Sequence, residues 1–179
     1  MPNEITDAVA GSLLSIYALH TEEPWNALDA SLPGVLAKYL QIEPRSNQTV
    51  SLLSIPSGIC LPRHRHAGPV CVYTVLGRWQ YLEHDWIAEQ GSFVQEAAGS
   101  CHTPEVFDHH GYTAITLNWV CGDLEIMSRS GKVVGLENAD TACWRRANSP
   151  YCVGSLIPRT LDASLGRHHI DGSLTHWAE

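Results

Sequence analysis

Apolar residues recur along this chain in short runs with a period of two, and each run is cut by glycine or proline. Val70-Cys71-Val72-Tyr73-Thr74-Val75-Leu76 is rich in β-branched and aromatic side chains and stops at Gly77, which predicts a strand. Arg78 to Trp86 reads as its returning hairpin partner. Gly91 opens a further run, Ser92-Phe93-Val94-Gln95-Glu96, and Gly99 turns the chain just before His102. Tyr112 to Cys121 reads as a long buried strand. Short strands broken at regular spacing by turn signals imply an all-β sandwich or barrel. Residues 1–32 read as an extension packed on that barrel, partly helical from Ala8 to Tyr17, and residues 33–179 as the barrel itself, in one domain overall. Beyond Asn138 the pattern weakens, and a terminal helix is the most it supports.

Composition narrows the function classes. The net charge of −8, with no Lys/Arg cluster, argues against a nucleic-acid partner. No apolar run approaches the roughly 20 residues that span a bilayer, so no membrane partner is expected. The acidic start Met1-Pro2-Asn3-Glu4 lacks the basic region of an export signal, and a cytoplasmic location is expected. None of Cys60, Cys71, Cys101, Cys121, Cys143 and Cys152 falls in a C-x-x-C pair, so reduced thiols are expected rather than a thiolate metal site. Cys71 and Cys121, inside apolar runs, read as small core residues.

The chemistry concentrates in Gly58-Ile59-Cys60-Leu61-Pro62-Arg63-His64-Arg65-His66. Side chains alternate across a strand, so His64 and His66 project from one face and can grip one metal ion. His102, after the Gly99 turn, is the third candidate ligand. Three neutral imidazoles on a sheet make an open transition-metal site. His109, His110, His168 and His169 pair with no motif and read as surface residues.

The spacing carries a family resemblance. Gly58, five residues, His64-x-His66, three residues, Val70, six residues and Gly77 resembles the first cupin motif. Gly91, five residues, Ala97-x-Gly99, two residues and His102 is similar to the second. The resemblance implies a single cupin (jelly-roll) β-barrel with little helix, and His64, His66 and His102 as metal ligands. Val70 stands where the motif usually carries a glutamate, so the metal's charge is expected to stay uncompensated by a carboxylate.

His66-Ala67-Gly68-Pro69 with Gly77 to Trp86, and Gly99 to Pro104, resemble the 2,4′-dihydroxyacetophenone dioxygenase family; the His-Ala-Gly-Pro element is also similar to acetylacetone dioxygenase. That likeness implies an Fe(II) cofactor, dioxygen and a small aromatic hydroxyketone as reactants, and cleavage of 2,4′-dihydroxyacetophenone to 4-hydroxybenzoate and formate. Cupin barrels commonly form homodimers or homotetramers, and the same is expected here. Two alternatives stay open: a zinc-binding regulatory cupin similar to that of anti-sigma factors, or a cupin acting on sugars, keto acids or a β-diketone. An anion-binding variant would draw on Arg63, Arg65 and Arg78.

Supporting residues follow from position. Glu96, six residues ahead of His102, serves as a general base if buried by the metal; the plainer alternative is a solvated carboxylate at the barrel rim. Val70, Trp79 and Tyr81 are the candidate substrate-pocket residues. Trp79, Tyr81 and Glu83 share one face of their strand, and His84 and Trp86 the other.

Overall fold

The structure is a computed structural model, and it describes residues 24–107, 111 and 113–148. The extension from Ala8 to Tyr17, His109, His110, His168, His169 and Cys152 lie outside the described residues. Among the described residues, thirteen strands and one α-helix, with a 3-10 turn at Pro44–Ser46 between the second and third strands, follow each other in the order β1 (Asn26–Ala27), β2 (Leu36–Glu43), β3 (Gln48–Ile55), β4 (His64–His66), β5 (Val70–Leu76), β6 (Arg78–Tyr81), β7 (Ala88–Glu89), β8 (Phe93–Glu96), β9 (Cys101–His102), β10 (Pro104–Val106), β11 (Ala114–Cys121), β12 (Leu124–Met127), β13 (Val133–Glu137) and α1 (Ala139–Ala147). Strand pairing begins at Asn26, ahead of residue 33. Among the described residues, no helix is long and apolar enough to cross a membrane.

The strands form a six-stranded sheet in the order β1-β2-β3-β11-β5-β8, a four-stranded sheet β13-β12-β4-β9 and a three-stranded sheet β10-β6-β7. Their inner faces enclose one core, in which Val35, Ile55, Val70, Val72, Trp79, Tyr81 and Ala114 are buried. This is the all-β architecture expected from the period-two pattern.

The expected hairpin between Val70–Leu76 and Arg78–Trp86 does not form. β5 pairs with β11 and β8, whereas β6 pairs with β10 and β7. The chain changes sheets at Gly77, whose φ of 84° is open to glycine at little cost. A Cβ there would also lie 2.7 Å from the Ala114 backbone. The glycine therefore marks a crossing between sheets, a geometry that a hairpin turn and a sheet change share in sequence.

β11 also departs from expectation. Its apolar Trp119 is half exposed, while the polar Thr116 is buried. Register explains the inversion: Thr116 and Asn118 share the parity of buried Ala114, and Val70 and Val72 of β5 lie opposite Val120 and Asn118. The polar members of the strand face inward. Cys71 and Cys121 are only half buried rather than core.

The short helix α1 is defined by its ends. Asn138 caps it through the Thr141 amide, and Thr141 returns the bond to the Asn138 amide, a reciprocal cap typically worth about 1 kcal/mol. Ala142 packs beside Ala37 and Tyr39 of β2. Asn47 secures the join: its side chain accepts from the Ala139 amide at 3.0 Å and donates to Asp123 at 2.8 Å.

Candidate metal centre

The pattern buried–exposed–buried along His64-Arg65-His66 puts both imidazoles on the inner face and the arginine in solvent. β9 lies antiparallel to β4 with His102 directly opposite His64. The turn before β9 is locked to β4 by two backbone bonds, Gly99 N–H to His66 O at 2.7 Å and His66 N–H to Ser100 O at 3.0 Å. Gly99 enters that turn with a φ of 85°, a left-handed conformation that a side chain would strain. Local geometry thus brings His102 beside the pair. One nitrogen from each of His64, His66 and His102 lies within 4.8 Å of the others, and all three residues are buried.

Each ring is held. The His64 Nδ1–H donates to the Pro62 carbonyl at 2.9 Å; a carbonyl only accepts, so Nε2 keeps its lone pair for an ion. The Tyr81 ring stacks on His102 at 3.9 Å and 12°. Burial is the largest cause that lowers the pKa of His64, to about 3, and that of His66, to about 4. Both rings are therefore neutral at physiological pH, the state that ligates.

Glu96 changes the expected donor set. It is buried, not at the rim, and it ends β8 directly opposite Val70 in the register. The carboxylate that Val70 lacks is thus presented from the neighbouring strand. Glu96 Oε2 lies 3.1 Å from Nε2 of both His66 and His102, and Oε1 accepts a hydrogen bond from the Tyr81 hydroxyl. Burial alone would raise the carboxyl's pKa, but His102, the Tyr81 hydroxyl and His66 outweigh it and hold it below the ordinary value. Burial and the adjoining carboxylate push the Tyr81 phenol well above its usual range, so it stays a donor. The expectation of a carboxylate-free centre is corrected: three imidazoles and one carboxylate converge.

This donor set fits a metal ion. His102 Nε2 and Glu96 Oε2, 3.1 Å apart, are buried and have no hydrogen-bond partner among the described residues, a costly arrangement that a coordinated cation would relieve. The cysteines stay out of the site. Cys101 Sγ accepts from Arg63 at 3.3 Å, and Cys60 is exposed.

The centre opens on an interior cavity of about 230 Å³, lined mainly by apolar side chains. That is below the usual ~300 Å³ of drug-sized pockets and suits a small ligand. Val70, Trp79 and Tyr81 all line it. Trp79 is anchored by its indole N–H to Thr74 Oγ1 at 2.9 Å. A turn after β6 curls His84 and Trp86 back, so that both rings sit within 6.1 Å of Tyr81 despite their opposite strand parity. Arg63, Arg65 and Arg78 point elsewhere: Arg65 pairs with Glu125, Arg78 approaches Glu89 at 3.8 Å and Arg63 approaches Glu83 at 4.0 Å. Among the cavity residues that sequence reasoning missed are Thr116 and Asn118. Their one signal was shared parity in a strand whose inward face was unknown.

A metal-binding cupin barrel is the class that this fold and donor set define. The family described as ChrR cupin-like domain matches residues 15–121, and the chain belongs to it. A solved RmlC-like cupin protein from Ralstonia eutropha is 39% identical, with 70% of this chain and 80% of that one covered, at a TM-score of 0.68. A second cupin-fold protein of unknown function from Ralstonia eutropha is 26% identical, covering 68% of this chain and 78% of that one, at a TM-score of 0.60. An acetylacetone dioxygenase from Acinetobacter johnsonii shares the fold at 17% identity and a TM-score of 0.63, over 70% of this chain and 86% of that one. No curated protein matches the chain.

Proposed function

We propose that the chain is an Fe(II)-dependent dioxygenase that cleaves the carbon–carbon bond of an aryl 2-hydroxyketone. The observation that carries this reading is the buried donor set with unpartnered atoms, facing a small apolar cavity. The fold shared with an acetylacetone dioxygenase supports the reaction type. His64, His66 and His102 would hold the metal, with Glu96 beside them. When bound, the ion would supply Lewis acidity and a site where substrate and dioxygen meet.

The chain's own residues define the rest. Glu96 is ionised and buried beside the ligands, so it is placed to take the proton lost from the carbon bearing the 2-hydroxyl group. The Tyr81 hydroxyl holds Oε1 and leaves Oε2 turned to the centre. Val70 and Val72, both buried, exclude water from that side and strengthen the local electrostatics. For 2,4′-dihydroxyacetophenone the balance closes without a reductant: substrate and one dioxygen become 4-hydroxybenzoate and formate, and both oxygen atoms enter the products.

The test is oxygen uptake by anaerobically Fe(II)-loaded protein given 2,4′-dihydroxyacetophenone. Equimolar oxygen consumption with formate release, and label from ¹⁸O₂ in the carboxylate, is expected. An iron-loaded protein that consumes no oxygen with this compound or with a β-diketone would defeat the reading. A second reading, a metal-binding regulatory cupin, is favoured by the family match and by the carboxylate that Glu96 returns to the site; inert iron-loaded protein with tight zinc binding would turn the assignment to it.

A further inference from the structure

One polar patch in the cavity has no part in the metal centre. Thr116 and Asn118 face inward from β11, where Thr116 lies opposite Leu53 and Thr74, and Asn118 opposite Ser51 and Val72. Asn118 Nδ2 donates to the Thr116 carbonyl at 3.2 Å and to Thr116 Oγ1 at 3.0 Å. Because that carbonyl can only accept, the amide orientation follows, and Oδ1 is the acceptor end. It accepts a long hydrogen bond from the Thr116 hydroxyl at 3.4 Å, beyond the about 2.7–2.8 Å usual for such a pair, and keeps acceptor capacity for a stronger donor. A weakly engaged acceptor is therefore held in the wall of the cavity that the metal centre faces.

Its position relative to the metal centre follows from the register. Glu96, Val70 and Val120 form one row across β8, β5 and β11, and Val94, Val72 and Asn118 form the next. Asn118 thus lies two strands over and two residues along from Glu96, about 12 Å through the sheet backbone. Inward-pointing side chains on a curved sheet shorten that gap. A phenyl ketone seated with its oxygens by the histidines would direct its para position toward this patch, with the ring passing Val70 and Val72. Ser51, opposite Asn118 on β3, also lines the cavity there.

We infer that Asn118, braced by Thr116, is the specificity determinant for a hydrogen-bond donor on the end of the substrate remote from the metal. The inference rests on the aryl hydroxyketone reading and deepens it. The ligand class is an aryl hydroxyketone carrying a para hydroxyl; an unsubstituted ring leaves Oδ1 with only its long bond from Thr116, and an ether oxygen sets acceptor against acceptor.

The experiment uses the full chain loaded with Co(II) and kept anaerobic, with visible absorption reporting ligand binding. Three probes share one chelating head: 2,4′-dihydroxyacetophenone, 2-hydroxyacetophenone and 2-hydroxy-4′-methoxyacetophenone. Wild-type protein is expected to bind the first at least tenfold more tightly than the other two. Asn118→Leu, and independently Thr116→Val, should shrink that ratio toward one while the affinity for 2-hydroxyacetophenone holds. If all three probes perturb the cobalt spectrum with equal affinity in the wild type, the subsite is refuted and the hydroxyketone reading stands. If none perturbs it, both fall. The wild-type comparison decides the matter even if one variant does not fold.

Discussion

Two polar clusters, one half-buried and one buried, border the same cavity and are completed in opposite ways. In one, Arg145 donates to Tyr39 and to Glu137, each at 2.7 Å, and Glu137 accepts a further bond from Thr141 at 3.0 Å. That network staples α1 to β2 and leaves its charges matched. In the other, His102 and Glu96 each retain a buried atom without a partner among the described residues. Folding alone gains little from an unfinished cluster, because every unpaired buried group costs free energy. The first cluster is matched within the chain and serves stability. The second is left open among the described residues, as a binding site would be.

The sharpest way to break this contrast is to remove a ligand. His102→Ala should abolish stoichiometric metal binding, measured by metal analysis after dialysis, and should leave the apo fold intact by circular dichroism. In the wild type, metal at a hundredfold excess over its Kd should add about 2.7 kcal/mol of stability, seen as a rise in Tm of about 5–10 °C; the variant should show none. An equal rise in both would place the metal elsewhere. Arg145→Met tests the other cluster. It should cost about 2 kcal/mol in denaturant unfolding, since it strands Glu137 in a half-buried site, with metal affinity unchanged. A parallel fall in metal affinity would show that the two clusters are one unit.

Smaller effects sharpen the roles inside the metal cluster. Glu96→Gln keeps the shape and removes the charge, so metal affinity should drop by about 10–100-fold, the range for a supporting partner. No change on isothermal titration would demote Glu96 to a structural carboxylate. Acidity gives the mildest test. The folded His64 and His66 titrate near 3 and 4, below the ~6.5 of an unfolded histidine. Between these values the unfolded chain binds more protons, so apo stability should be full above pH ~6.5 and decline as the pH falls toward 3. Apo stability that instead fell in step with an ordinary histidine titration at about 6.5 would show that the His64 and His66 rings are solvated.

Much of the centre was legible before any coordinates. The His64-x-His66 spacing is a statement about strand geometry: alternation forces both rings to one face, and the structure places them there. The glycines that open and close the runs likewise marked real strand ends at Gly77, Gly91 and Gly99. The pairing of those runs was not legible. Gly77 reads equally as a hairpin turn or a change of sheet, and only the approach of Ala114 decides between them.

Glu96 and Asn118 mark the same boundary more finely. A carboxylate six residues ahead of His102 has two environments open to it, and the choice depends on the residue opposite, Val70, which sits on another strand. For β11 the period of two was plain, yet its phase was not: Ile115, Leu117 and Trp119 look like the core face, and Thr116 and Asn118 occupy it. By itself, then, the sequence determined the strands around the site, their periodicity and the three imidazoles, because these depend on backbone geometry over a few neighbouring residues. The tertiary structure decided which carboxylate meets them, which face of β11 lines the cavity and which buried atoms stay unpaired. Those outcomes depend on register between distant strands, and a shift of one residue in that register would exchange every inward side chain for its outward neighbour.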